Sequence, residues 1–148
     1  MQQSPEEHAQ ELIDTFDILG EWDERYRFLI DLGRELPAMD ELDKTDVSKV
    51  KGCLSSVWLV AGVTELDGEK VIEFIADSDS AIVKGLVAML RKIYSGQSPR
   101  DIVAFDIEAM FQQLDLGQHL SMGRRNGLSE MVQRVKVLAT QLAQSTPE

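Results

Sequence analysis

The stretch of sequence that decides the fold is Val57–Ile75, which reads VWLVAGVTELDGEKVIEFI. Its opening residues Val57–Val63 and its closing residues Val71–Ile75 are rich in β-branched and aromatic side chains, which favour strands. Asp67-Gly68 between the two runs is a dipeptide typical of hairpin turns. The sequence therefore predicts a β-hairpin, and Val47–Lys51 could add a short third strand at its edge.

Helical patterns lie on both sides of this hairpin. Upstream, Ser4-Pro5-Glu6-Glu7 has the sequence of a capping box, and downstream Asp77-Ser78-Asp79-Ser80 has the side chains of a helix cap. Helices are predicted over residues 5–19, 21–36, 81–94, 107–114 and about 124–144, with a turn at 98–101. Helices before and after a contiguous antiparallel unit predict an α+β fold.

The predicted architecture is a small antiparallel sheet of about three strands, flanked by N-terminal and C-terminal helices. A length of 148 residues fits one domain. Residues 1–148 are therefore assigned to a single domain, with a flexible tail at 144–148.

Composition narrows the classes of function. The chain has 26 Asp plus Glu against 15 Lys plus Arg, a net charge of −11, and one cysteine. The acidic balance argues against binding to nucleic acid or to an anionic membrane, because phosphate contacts depend on clustered Lys and Arg. One cysteine excludes an internal disulfide and the multi-cysteine zinc and iron–sulfur sites. Because no secretory signal and no run of about 18 apolar residues is visible, a cytoplasmic protein without a membrane span is expected.

The cysteine is the first candidate for chemistry. Cys53 lies at the turn that leads into the predicted strand, with Gly52 before it and Lys49 and Lys51 close by. Cations near a thiol favour the thiolate, which is the nucleophilic form. A free cysteine is more often a small buried hydrophobe. A binding module with an inert cysteine is therefore an alternative that these residues leave open.

Two other kinds of site have weaker support. A cysteine-dependent hydrolase would need a base, and His119, in a glycine-flanked loop at 117–121, is the better of the two histidines. A calcium loop starting at Asp77 and Asp79 lacks the ligand at position five and the glycine at position six. Helix capping explains these two residues better, and no metal site is predicted.

Three separated motifs carry a family resemblance. They are VKGCLSSVWL at 50–59, ADSDSAIVKGL at 76–86, and HLS at 119–121 followed by RRNGL at 124–128. Their sequences and their order resemble the SufE family, the sulfur-accepting partners of cysteine desulfurases. Tyr26–Arg34 looks like the N-terminal helix of that family, so the resemblance spans about residues 22–137.

The resemblance implies a SufE/IscU-like fold and a specific function. Cys53 would accept persulfide sulfur from a SufS- or CsdA-like cysteine desulfurase, stimulate that enzyme, and pass the sulfur to a scaffold for iron–sulfur cluster assembly. This is the activity of a sulfur carrier and not of a stand-alone enzyme. The chain itself would need no cofactor, because the pyridoxal phosphate belongs to the desulfurase.

The resemblance also implies a set of supporting residues. Gly52 would give the backbone at the cysteine its freedom to turn, and His119, Arg124 and Asn126 would lie near the partner or near the cysteine loop. Met122-Gly123 stands where the family pattern has Pro-Ser. The loss of that proline predicts a more flexible loop at this point.

Overall fold

The order of helices and strands follows the predicted α+β plan. A computed structural model describes residues 3–51 and 56–145. In chain order the elements are α1 (Pro5–Leu19), α2 (Trp22–Arg34), a short 3₁₀ helix (Glu41–Asp43), β1 (Val57–Leu66), β2 (Glu69–Ser78), α3 (Ala81–Tyr94), α4 (Pro99–Ala104), α5 (Ile107–Leu114), α6 (Leu116–His119) and α7 (Met122–Ser145). The predicted fold class is confirmed, with helices before and after one antiparallel hairpin.

The hairpin forms around the predicted turn. Strands β1 and β2 pair antiparallel, from Val57 opposite Ser78 to Leu66 opposite Glu69. Asp67 and Gly68 have φ angles of 53° and 82°. Two successive left-handed residues are what a type I′ turn requires, and this turn matches the twist of the strands that it joins.

The predicted third strand is wrong for the part of the chain that the structure describes, where the sheet has two strands. The segment at 47–51 makes one isolated bridge to β1, Lys49 opposite Trp58. Just before it, the Ser48 hydroxyl donates to the Asp43 carbonyl and accepts a hydrogen bond from the Thr45 amide. These bonds hold the backbone before Lys49 in a turn, which leaves too short a stretch to pair as a strand.

Helix ends follow the capping signals closely. Ser4 and Glu7 exchange the two hydrogen bonds of a capping box at the start of α1, and Gly20, with φ of 74°, ends that helix. The Ser80 hydroxyl accepts from the Val83 amide at the start of α3. Helix α7 extends to Ser145 and so includes the first two residues of the predicted tail at 144–148, while 146–148 lie outside the described residues.

Two short helices occupy segments that were predicted as a turn and a loop. Helix α4 has six residues and α6 has four. Neither is long enough to show the periodicity of an amphipathic helix in sequence. A serine nevertheless caps α4, since the Ser98 hydroxyl accepts from the Asp101 amide.

The core lies where one face of the hairpin meets the helices. Along β1, Val57 and Leu59 are buried, and Ala76 and Phe74 on β2 are buried too. They belong to one cluster of buried apolar residues that includes side chains from α1, α3, α5 and α7. Within the ranges that the structure describes, no helix combines the length and apolar character needed to cross a bilayer.

Tyr94 leads to a first testable prediction. Its side chain is fully buried, and its hydroxyl has no hydrogen-bond partner among the described residues. Burial raises the pKa of this hydroxyl, and the Glu108 and Asp106 carboxylates add to the effect. Because an unsatisfied buried hydroxyl is destabilising, Tyr94→Phe is expected to raise the free energy of unfolding in urea by about 1 kcal/mol.

Tyr26→Phe is the matched control for this prediction. The Tyr26 hydroxyl donates to the His119 carbonyl oxygen, so its removal is expected to lower the free energy of unfolding by about 1 kcal/mol. Equal destabilisation by both substitutions would mean that the Tyr94 hydroxyl does form a hydrogen bond.

Candidate functional site

The predicted sulfur-carrying residue Cys53 and its neighbour Gly52 lie outside the described residues. The chain on both sides of them is described, and its two flanks are joined to each other. The Val50 amide donates to the Val57 carbonyl at 2.8 Å, and the Leu59 amide donates to the Ser48 carbonyl at 2.9 Å. The segment that carries Cys53 therefore begins and ends at one antiparallel contact at the base of the hairpin.

The downstream flank is also joined to the start of α3. The Ser56 amide donates to the Asp79 carboxylate at 3.1 Å, and the Asp79 amide donates to the Ser56 carbonyl at 3.2 Å. The sequence assigned Asp79 to a helix cap, but Ser80 is the capping residue. Asp79 instead holds the backbone that follows the cysteine segment.

A group of charged side chains lies beside the upstream flank. The Lys44 ammonium lies 2.9 Å from Asp77 Oδ2 and 3.0 Å from Glu41 Oε1, and the Lys84 ammonium lies 3.3 Å from Asp77 Oδ1. Asp77 and Lys44 are 16% and 17% exposed, so both side chains are half-buried. The Lys44 ammonium also lies 5.2 Å from the centre of the Trp58 ring. Separate segments of the chain thus meet at Asp77.

These contacts shift the ionisation of both partners. Partial burial of the Asp77 carboxyl opposes its ionisation, but hydrogen bonds from Lys44, the Ser78 amide and Lys84 outweigh burial and lower its pKa. Hydrogen bonds to Asp77 and Glu41 raise the pKa of Lys44. Both charged forms are therefore favoured at neutral pH.

Asp77→Asn is expected to lower the free energy of unfolding at pH 7 by up to about 1 kcal/mol, because Lys84 loses its carboxylate and Lys44 keeps only its ion pair with the exposed Glu41. The depressed pKa means that Asp77 stabilises the fold above its unfolded pKa of about 3.9 and loses this effect as the pH falls through its lower folded value. The difference in the free energy of unfolding between wild type and variant is thus expected to be constant from about pH 5 to 7 and to shrink below about pH 4. Urea unfolding at a series of pH values measures it; a difference that persists unchanged at about pH 3 would contradict the assignment.

His119 lies in a second group, at the end of α6. Its imidazole stacks on Trp22 with ring centres 4.1 Å apart and planes 16° apart. The Nε2 atom lies 3.6 Å from Asp115 Oδ2, and the backbone carbonyl accepts from the Tyr26 hydroxyl. The imidazole therefore helps to join α6 to α2, which the glycine-flanked loop predicted from sequence did not suggest.

Arg124 and Asn126 lie in the first two turns of α7, with exposed side chains. The predicted flexible loop at Met122-Gly123 is wrong, because these residues form the first turn of α7. Ser121 replaces the missing proline as the start signal: its hydroxyl accepts from the Arg124 amide and its carbonyl accepts from the Arg125 amide. His119 thus lies just before the junction of α6 and α7, and Arg124 and Asn126 lie just after it.

Helix α7 connects this junction to the flanks of the cysteine segment. The Arg134 guanidinium donates to the Val47 carbonyl at 2.5 Å, just upstream of Ser48. Arg124 and Arg134 are ten positions apart on one helix, which corresponds to about 15 Å along its axis. The helix that presents Arg124 therefore also contacts the backbone that leads towards Cys53.

Comparison with known proteins identifies the family. The model of the Fe-S metabolism associated domain of SufE matches residues 10–139. An uncharacterized SufE-like protein of Rhizobium meliloti is 42% identical over 126 residues, covering 85% of this chain and 90% of that protein. A second uncharacterized SufE-like protein, from Rhizobium etli, is 40% identical and covers 85% of each. The chain belongs to the SufE family.

A solved structure supports the fold of this SufE-family chain. The solution structure of a hypothetical protein from Thermus thermophilus superimposes with a TM-score of 0.74, covering 93% of this chain and 97% of that one. The two sequences are 16% identical, so the likeness concerns the fold alone. Membership of the SufE family associates the chain with iron–sulfur metabolism.

A small apolar cavity lies inside the hairpin base of this SufE-family chain. Its volume is about 20 Å³, and it lies between the hairpin, α3 and α7. Side chains that line it include Val57, Leu59, Phe74, Ala76 and Met131. A space of this size accommodates about one water-sized group. Val57, one of the lining residues, comes directly after Ser56, the downstream flank of the cysteine segment.

Sequence reasoning missed two contributors to these groups, Lys44 and Trp22. The pairing of Trp58 with Asp77 could have been predicted, because a two-residue turn at Asp67-Gly68 sets the register that places these residues opposite each other. The position of Lys44 over this pair depends on how the chain between α2 and β1 folds back. The sequence between α2 and β1 has no periodic pattern from which this path could be predicted.

Proposed function

We propose that this SufE-family protein is a cytoplasmic sulfur carrier that works with a pyridoxal-phosphate-dependent cysteine desulfurase. It accepts sulfur from the desulfurase on Cys53, stimulates the desulfurase by regenerating its cysteine, and passes the sulfur to a scaffold for iron–sulfur cluster assembly. The association with iron–sulfur metabolism comes from the family.

One observation carries the proposal: the single cysteine of the chain lies in a segment whose two flanks are hydrogen-bonded to each other. Because these flanks are held at the base of the hairpin, a partner can engage the residues between them without rearrangement of the core.

The transfer step needs one nucleophile from this chain. The Cys53 thiolate attacks the outer sulfur of the persulfide on the desulfurase cysteine. The new sulfur–sulfur bond forms on Cys53, the old one breaks, and the desulfurase cysteine leaves as a thiolate. The electrons balance without an external oxidant or reductant. The absence of a second cysteine from the sequence protects the product, because a neighbouring thiol would release the sulfur by forming a disulfide.

The start of α7 supports a further part of this function. Arg124 and Asn126 present exposed polar side chains at the start of α7, where they can contact a partner. A guanidinium suits a carboxylate on the desulfurase surface, because it can form two parallel hydrogen bonds.

Intact-mass spectrometry of the chain after incubation with a SufS-like desulfurase and cysteine tests the proposal. The mass is expected to rise by one sulfur atom, and a reductant is expected to remove the addition. The chain without the desulfurase, given the same cysteine, is the control. An unchanged mass in the complete mixture would contradict the proposal.

The same preparations distinguish the two alternative functions. A cysteine-dependent hydrolase would turn over an activated ester without any partner and would lose this activity in His119→Ala. The stacking of His119 on Trp22 and its contact with Asp115 give this residue a structural role that needs no catalysis. A binding module with an inert cysteine would show negligible alkylation of Cys53 until the chain is denatured.

A further inference from the structure

Lys44 occupies an unusual place for a lysine. It follows the 3₁₀ helix in the connection from α2 to β1, yet its side chain is 17% exposed. Lysine is almost never buried unless it is paired. Here the ammonium binds Asp77 at the end of β2 and lies over the ring of Trp58 in β1. One side chain thus contacts both strands of the hairpin at its base.

The backbone that follows Lys44 leads directly to the upstream flank of the cysteine segment. The Lys49 amide donates to the Thr45 carbonyl, and the Thr45 amide donates to the Ser48 hydroxyl. These bonds make residues 45–49 one tight turn. A shift of Lys44 would therefore be passed on to Ser48 and Val50, the two residues that bind β1.

The two flanks are tied to neighbouring residues at the end of β2. Lys44 ties the upstream flank to Asp77, and the Ser56 amide ties the downstream flank to Asp79. The downstream tie is a hydrogen bond from the backbone, which no side-chain substitution at Ser56 removes. The link from the upstream flank to Asp77 depends on the ammonium group of a single side chain, and it adds to the backbone bonds of Ser48 and Val50 with β1.

We propose that Lys44 is a positioning residue for sulfur transfer: its ion pair with Asp77 sets where the upstream flank of the cysteine segment meets β1. This inference rests on the proposed function for its role in transfer. The geometric part, that Lys44 holds the turn at 45–49 against the hairpin, stands on the contacts of Lys44 with Asp77 and Trp58 and on the hydrogen bonds within that turn. Lys84 also binds Asp77, but it comes from α3 and not from this flank.

Lys44→Met tests the proposal, because methionine keeps an unbranched apolar stem against Trp58 and removes the charge. In a sulfur-transfer assay with a SufS-like desulfurase, the maximal rate is expected to fall by about 10- to 100-fold, the effect of a displacement of about 1 Å at a reacting group. The desulfurase concentration that gives half the maximal rate is expected to stay within about twofold of wild type, since a positioning residue does not contact the partner. Lys44→Arg is expected to restore the rate, because a guanidinium also binds a carboxylate.

Amide hydrogen exchange of the chain alone tests the geometric part without any sulfur chemistry. The Val50 and Leu59 amides, which make the flank contacts, are expected to exchange about tenfold faster in Lys44→Met, through local opening. Lys92→Met is the matched control, because it removes an ion pair between α1 and α3 that does not involve the hairpin. It is expected to change neither the exchange nor the transfer rate.

Three results would overturn the inference: unchanged exchange at Val50 and Leu59, failure of Lys44→Arg to restore the rate, or a change confined to the half-saturating concentration. The last would make Lys44 a docking contact. Failure of the proposed function can be distinguished from failure of this inference. If the proposed function fails, wild type accepts no sulfur, and the exchange experiment still decides whether Lys44 holds the flank.

Discussion

The Cys53→Ser variant is expected to accept no sulfur and to give no stimulation of a cysteine desulfurase. A serine hydroxyl remains protonated at neutral pH and does not attack a persulfide, whereas a thiol is partly ionised and intrinsically nucleophilic. The chain has one cysteine, so no other thiol can replace it. The loss is therefore expected to be complete, and not a partial decrease in rate.

Transfer of isotopically labelled sulfur from cysteine, in the presence of the desulfurase, measures this effect. Ser56→Ala is the matched control, because the contacts of Ser56 with Asp79 are made by its backbone amide and carbonyl. It is expected to accept sulfur at the wild-type rate. Thermal unfolding of both variants establishes that they are folded. Label on Cys53→Ser, or undiminished stimulation by it, would refute the proposed role of the thiol.

Gly85→Ala is expected to produce the largest loss of stability, about 3 kcal/mol in the free energy of unfolding. A Cβ at Gly85 would lie 2.2 Å from the Leu29 carbonyl oxygen and 2.6 Å from its carbonyl carbon. Both atoms belong to the backbone of α2, which cannot move aside as a side chain can. Helices α2 and α3 would have to separate, and their close contact at Gly33 and Gly85 would be lost.

Gly117→Ala is the control for this substitution. Gly117 is exposed in α6, and its nearest neighbour would be an atom of a flexible side chain, Arg125 Cδ, at 4.0 Å. Alanine favours a helix by about 1 kcal/mol over glycine, so this variant is expected to match or slightly exceed wild type. Urea unfolding measures both. A Gly85→Ala variant as stable as Gly117→Ala would contradict the close packing of α2 on α3.

Most local structure could be predicted because its causes lie within a few residues. Asp67-Gly68 accounts for the hairpin and its register, and Ser4 with Glu7 accounts for the start of α1. The absence of a third strand from the described sheet and the presence of helix α6 could not be predicted in this way. The hydroxyl of Ser48 holds the backbone before Lys49 in a turn, and α6 is too short to show a helical repeat.

For the candidate site, too, the sequence identified individual residues, and the tertiary structure explained contacts between distant ones. The sequence alone identified Cys53 as the single thiol, within a family motif, and placed Gly85 in another motif without a reason for its presence. The tertiary structure supplied that reason, since the backbone of α2 leaves no room for a side chain at Gly85.

By itself, the sequence determined the longer helices, the hairpin and the candidate nucleophile, since backbone conformation and thiol chemistry depend on residues that are near one another in the chain. Only the tertiary structure decided that Lys44 reaches Asp77 and that His119 stacks on Trp22. These pairs come from separate elements, and their contacts exist only once apolar burial has packed those elements together.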